Sequence, residues 1–153
     1  MLATYRQPSF DAAAQRMANR TLPCTPDLRL RLFRELFAGG IAEELLVGML
    51  GGASLPSRMG GAVARIEPRD PTEAIGLCLV RNQPQAAASL LATAPASPEE
   101  QRLAVEMTPQ VADCVPSGQI ARITQPSLRA IVALAAYRLI KQNEAAPRQP
   151  ARN

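Results

Sequence analysis

Histidine and tryptophan are both absent from the 153 residues. Without histidine there is no Ser-His-Asp or Cys-His arrangement and no imidazole metal ligand. There is also no side chain whose ordinary pKa makes it a general base near neutrality. Cysteine is scarce: Cys24, Cys78 and Cys114 are all there is, and no C-x-x-C occurs, so the spacing carries no zinc signature. Aromatics make up 3% of the chain. A core must therefore be built from aliphatic side chains and alanine, which suits closely packed helices. Lysine occurs once, at Lys141, so the formal net charge of +4 is carried almost wholly by arginine.

Other absences narrow the function classes. The arginines, Arg129 and Arg138 among them, are scattered with no run of like charge, and they read as solvated surface. A nucleic-acid partner is thus weakly signalled; clustering of Arg29, Arg31 and Arg34 with others on one face is what would raise it. No apolar run approaches the 18 or so residues of a membrane span, since "IAEELLVGML" is short and carries Glu43 and Glu44. The opening "MLATYRQPSFDAAAQ" has no apolar h-region. Neither phosphate-loop pattern is present, and the Gly-rich "GGASLPSRMGG" has no lysine and no predicted strand before it. No catalytic pair, cofactor site or metal site is assigned. Glu99 and Glu100 read as first-turn residues that complement a helix dipole, and Glu43 and Glu44 as a solvated helix face.

What is present is helix punctuation. In "RDPTEAIGLCLVRNQP", Asp70 is placed to cap, Pro71 to occupy the first helical position and Glu73 to sit in the first turn. Ala74, Ile75, Cys78 and Leu79 form its apolar face. Pro84 opens "PQAAASLLAT", with Ala87, Leu90 and Leu91 on one side. "SPEEQ" starts the next helix with a capping box of Ser97 and Glu100. That helix carries Leu103, Met107 and, past a second start at Thr108, Val111, with Cys114 at its end. "VPSGQ" is a turn. A last helix over 126–142 presents Leu128, Ile131, Val132, Ala135 and Leu139 at helical spacing. In the first half, "SFDAAAQRMAN" reads as a helix capped by Ser9. "DLRLRL" is either a brief extended segment or a helix start. "FRELFAGGIAEELLVGML" is helical, with Gly39 and Gly40 weakening or bending it. "GGASLPSRMGGA" reads as a linker.

The two halves resemble each other. "LAT" at Leu2–Thr4 recurs at Leu91–Thr93, and Met17 and Met107 each lie seven residues before a cysteine. Cys24 and Cys114 are each followed by x-Pro. "LFAGGIAEELL" and "SLRAIVALAAY" follow at matching distances, the offset holding at 89 to 91. Order and spacing agree along about 50 residues, which is the signature of an internal duplication. The second copy has a leading segment that holds Cys78, and the first has none. The expectation is an upstream piece carrying a partner for Cys24 and an export signal; the alternative is a half-repeat with Cys24 as a buried thiol. For Cys78 and Cys114 the residues leave two states open. One is a bridge, contributing about 3–4 kcal/mol by chain entropy. The other is a pair of reduced, buried thiols in a cytosolic protein.

The run "CLVRNQPQAAASLLAT…SPEE…CVPSGQ…LRAIVALAAYRL" resembles a group of small, uncharacterised, exported helical proteins of alphaproteobacteria. These often carry such a two-cysteine unit twice per chain. The likeness covers 70–140 well and 2–50 loosely. It implies that Cys78 pairs with Cys114 and that the setting is periplasmic or secreted, with cytoplasmic the alternative. The resulting expectation is an all-α protein of two related short-helix units packed as one domain. The incomplete first unit spans 1–50, a linker 51–69, the second unit 70–142 and a disordered tail 143–153. The function expected is a non-enzymatic module that binds a partner protein or self-associates. The competing expectation is a small-ligand binder or histidine-free enzyme with a pocket between the units.

Overall fold

A computed structural model describes residues 8–20, 33–59 and 66–145, with the side chains of 17–20 excepted. The chain is all-α. Among the described residues eight helices pack into one domain: α1 (Pro8–Arg20), α2 (Arg34–Leu50), α3 (Leu55–Met59), α4 (Pro71–Asn82), α5 (Pro84–Ala92), α6 (Pro98–Glu106), α7 (Thr108–Asp113) and α8 (Gln125–Ala145). Cys24 and the "DLRLRL" stretch lie outside the described residues.

α8 is the axis, with α2 packed along one side and α4 along another. The anticipated face of Leu128, Ile131, Val132, Ala135 and Leu139 is buried, but so are Ala130, Ala133, Ala136 and Ile140. The alanines explain this, because small side chains let two helices close on α8 from different directions. At Gly39 of α2 an added Cβ would sit 2.4 Å from Ala130 Cβ and 2.6 Å from its Cα. At Gly76 of α4 it would sit 2.7 Å from Ile131 Cγ2 and 2.9 Å from the Ile131 carbonyl oxygen. Gly39 therefore does not interrupt α2; it is the point where two helix backbones meet.

Three boundaries differ from the sequence reading. α1 begins at Pro8, so Ser9 is a helical residue rather than the cap. The stretch read as a linker holds α3, whose Leu55 and Met59, one turn apart, are buried beside α5 and α8. α8 continues through Ala145, three residues into the stretch read as tail. The caps predicted for α4 and α6 hold. The Asp70 carboxylate accepts from Glu73 N–H at 3.0 Å, and Ser97 Oγ accepts from Glu100 N–H at 3.1 Å. Both glutamates reach back to the chain before the cap, Glu73 accepting from Arg69 N–H and Glu100 from Ala96 N–H, each at 2.6 Å.

Candidate functional site at the α6–α7 edge

α6 and α7 bury little. Glu100 is the buried residue of α6, α7 has none, and between them Met107 plugs into the core, with Leu103 and Val111 packed partly against it. What fixes this edge to the rest is polar and covalent. Cys78 of α4 and Cys114, which closes α7, are joined by a disulfide with their Cα atoms 5.7 Å apart. The structure thus brings together the two cysteines singled out in the sequence. Cys114 lies two residues before the turn Pro116–Gln119, which is closed by Gln119 N–H donating to the Pro116 carbonyl at 3.0 Å.

Beyond that turn the chain runs without regular structure to α8, which is capped by Thr124, whose Oγ1 accepts from Ser127 N–H at 3.3 Å. Gln119–Thr124 separates two open clefts. One, of about 720 Å³, lies against α6 and α7 and is walled by Ala104, Val105, Val111 and Val115; none of its lining residues is charged. The other, of about 620 Å³, is walled by Phe33, Ile75 and Ile131, with Glu35 and Arg122 at its rim. Ile120 stands on the divide with 94% of its surface exposed. Val105 on the far wall of the first cleft is 65% exposed, and Phe33 on the far wall of the second is 66% exposed.

The second anchor of the edge is an ionic cluster that sequence reasoning missed. Arg129, read as surface charge, is 7% exposed, and Glu100, read as a dipole complement, is 2% exposed. Arg129 Nε donates to Glu43 Oε2 at 2.9 Å, and its Nη2 pairs with Glu43 Oε1. Nη1 donates to the Leu90 carbonyl and Thr93 Oγ1, both at 3.0 Å, and lies 3.4 Å from Glu100 Oε1. Nη2 also meets the Leu91 and Thr93 carbonyls at 3.1 and 3.0 Å. Every guanidinium N–H is engaged, and the carbonyls lie at and just past the end of α5, where the Leu90 carbonyl also accepts from Thr93 N–H and Oγ1. The hydrogen bond to Glu43 raises the Arg129 pKa further above its ordinary value, against the opposing effect of burial. Glu43 is half-buried by this pairing rather than part of a solvated face, while Glu44 is exposed as expected. The second α8 arginine, Arg138, pairs with Glu73 at the start of α4 and donates to the Glu67 carbonyl at 3.2 Å. Each capping glutamate is therefore bound to an arginine of α8.

One signal in the sequence pointed to Arg129. It lies inside "SLRAIVALAAY", a run with no other charge, and a charge in so apolar a helix needs a partner. Saturated as it is, the guanidinium has no donor left for a ligand, so the cluster is a structural joint. Among the described residues no three cysteine or acidic side chains converge as a metal site, and no helix is long and apolar enough to cross a membrane. No known protein family, curated protein or solved structure matches this chain.

Proposed function

We propose that the chain is a disulfide-stapled helical module that binds another protein in a periplasmic or secreted setting. The observation that carries this reading is the apolar surface around 119–124. Ile120, Val105 and Phe33, three of the five large apolar side chains exposed among the described residues, stand together on the walls of two open clefts. The export setting is supported by the Cys78–Cys114 disulfide, a bond that persists in oxidising compartments, and by the resemblance to exported proteins. The duplication belongs to the same proposal. α2 begins at Arg34 and α8 at Gln125, and Gly39 meets Ala130, in both cases an offset of 91. Two equivalent helices would thus cross at equivalent positions. The ligand-site reading has less support. The α2–α8 seam has no room for a methyl group at Gly39, and the cleft beside Arg129 ends on a guanidinium already saturated.

A photo-crosslinking residue at Ile120, expressed in the source cell, tests the proposal against one at Lys141, an exposed position on α8. The expected outcome is a discrete protein adduct from position 120 and none from 141. Its mass separates a different partner from a second copy of the chain. Equal labelling from both positions, or none, overturns the proposal.

A further inference from the structure

The exposed segment after the disulfide has a property its side chains do not account for. Residues 120–123 make no hydrogen bond through any backbone N–H or C=O to another described residue. The turn bond ends at Gln119, and the first α8 bond begins at the Thr124 carbonyl. Before it lies the turn closed by Gln119, and after it the capped start of α8. Four consecutive residues therefore keep main-chain donors and acceptors that no described group uses, in a mostly exposed segment without regular structure. They do so beside the 720 Å³ cleft, whose lining holds alanine, valine, threonine and glutamine but no charge; Arg122 lines the other cleft and not this one.

We infer that Ile120–Ile123 is a strand-addition site, where an extended and uncharged peptide segment of a partner pairs its main chain with the segment and seats alternate side chains in the α6–α7 cleft. Strand addition draws affinity from main-chain bonds and specificity from pockets for every second side chain. Here the unpaired main chain asks for an extended occupant. The uncharged lining disfavours any Asp, Glu, Lys or Arg that would be desolvated there without a partner. A second copy of the same segment is a poorer match, because Arg122 of one strand would face Arg122 or its neighbour across the pair. The Cys78–Cys114 bond holds the base of the segment against α4, which keeps the site formed before the partner arrives.

This inference rests on the partner-binding reading and deepens it. The test is an NMR titration of the oxidised full chain with an uncharged alternating Thr/Val hexapeptide, and with the same peptide carrying Glu or Lys at its centre. The expected result is a shift of the 120–123 amides with the neutral peptide and weaker binding of both charged ones. Ala121→Pro removes one N–H that no protein group uses, so binding should fall about five- to tenfold while the melting temperature holds. Val105→Glu, at an exposed helical position, places a charge on the cleft wall and should weaken the neutral peptide as well. It keeps the question open to test if the proline variant misfolds. No amide shift at 120–123, equal binding of neutral and charged peptides, or dimerisation through this segment overturns the inference. If crosslinking from Ile120 to a partner survives in Ala121→Pro, strand pairing falls while the partner-binding reading stands.

Discussion

α8 and the α6–α7 edge are both helical, yet they are held in place by different means. Around α8 the contacts are steric. Glycine and alanine bring α2 and α4 to touching distance, and Leu139, Ile140, Val132, Leu77 and Leu90 are sealed from solvent. At the edge Met107 is the one fully buried apolar side chain, Leu103 and Val111 pack only partly, and a disulfide and the pair Glu100–Arg129 add the rest of the hold. Helices of nine and six residues are too short to persist on propensity alone. The lesson is that short helices with little buried surface need point attachments. Such attachments also leave the outer surface free for something other than packing.

The comparison is broken most severely at its joint. Arg129→Met leaves Glu100 and Glu43 without their cation and the Leu91 and Thr93 carbonyls without the guanidinium, and is expected to cost about 3–5 kcal/mol in denaturant unfolding. The methionine fills much of the space, so a loss below about 1 kcal/mol would mean that the cluster contributes little beyond its volume. Next is the edge by itself. The double variant Cys78→Ser/Cys114→Ser is expected to lose about 3–4 kcal/mol by chain entropy. Hydrogen exchange should quicken across α6 and α7 while α2 and α8 stay protected. Uniform quickening would mean that the two regions are not separately held.

The centre is probed by neighbouring glycines. Gly39→Ala drives a methyl into the Ala130 backbone and should destabilise by about 2–3 kcal/mol, outweighing the better helix propensity of alanine. Gly40→Ala, with nothing within 4 Å of the added carbon, should stabilise by about 0.5–1 kcal/mol. Thermal melts of the pair check the opposite signs. The smallest effect lies on the outer face of α6, where Arg102 bonds Glu99 and Glu106. The hydrogen bond from Arg102 lowers the Glu99 pKa below its usual 4.5. A depressed carboxylate contributes stability above the ordinary value and loses it as pH falls through the depressed one. Melting curves of the protein and of Arg102→Gln should therefore differ slightly at neutral pH and converge in acid.

Much of this fold was legible because its signals are local. Asp70, Ser97 and the prolines after them mark helix starts within a four-residue window, and the α8 face follows from spacing. The disulfide came from the resemblance rather than from spacing, which left it open. The Arg129 cluster was not legible, since its partners stand 86 and 29 residues away and nothing near Glu43 or Glu100 distinguishes them from surface carboxylates. α3 was hidden for another reason: five residues between glycines carry too little periodicity to stand out, and only Leu55 and Met59, one turn apart, hinted at a buried face. The role of Gly39 was inverted, since propensity counts a helix glycine as a cost and cannot see the neighbour it admits.

The contact between α2 and α8 bears on the order of events during synthesis. Glu43 waits 86 residues for Arg129. At cellular elongation rates that gap takes on the order of ten seconds. Through that interval α2 has no partner for the face that Gly39 opens, and the domain has no axis around which to close. Closure of the domain thus depends on the helix made last among those described, since α2 and α4 both pack on α8.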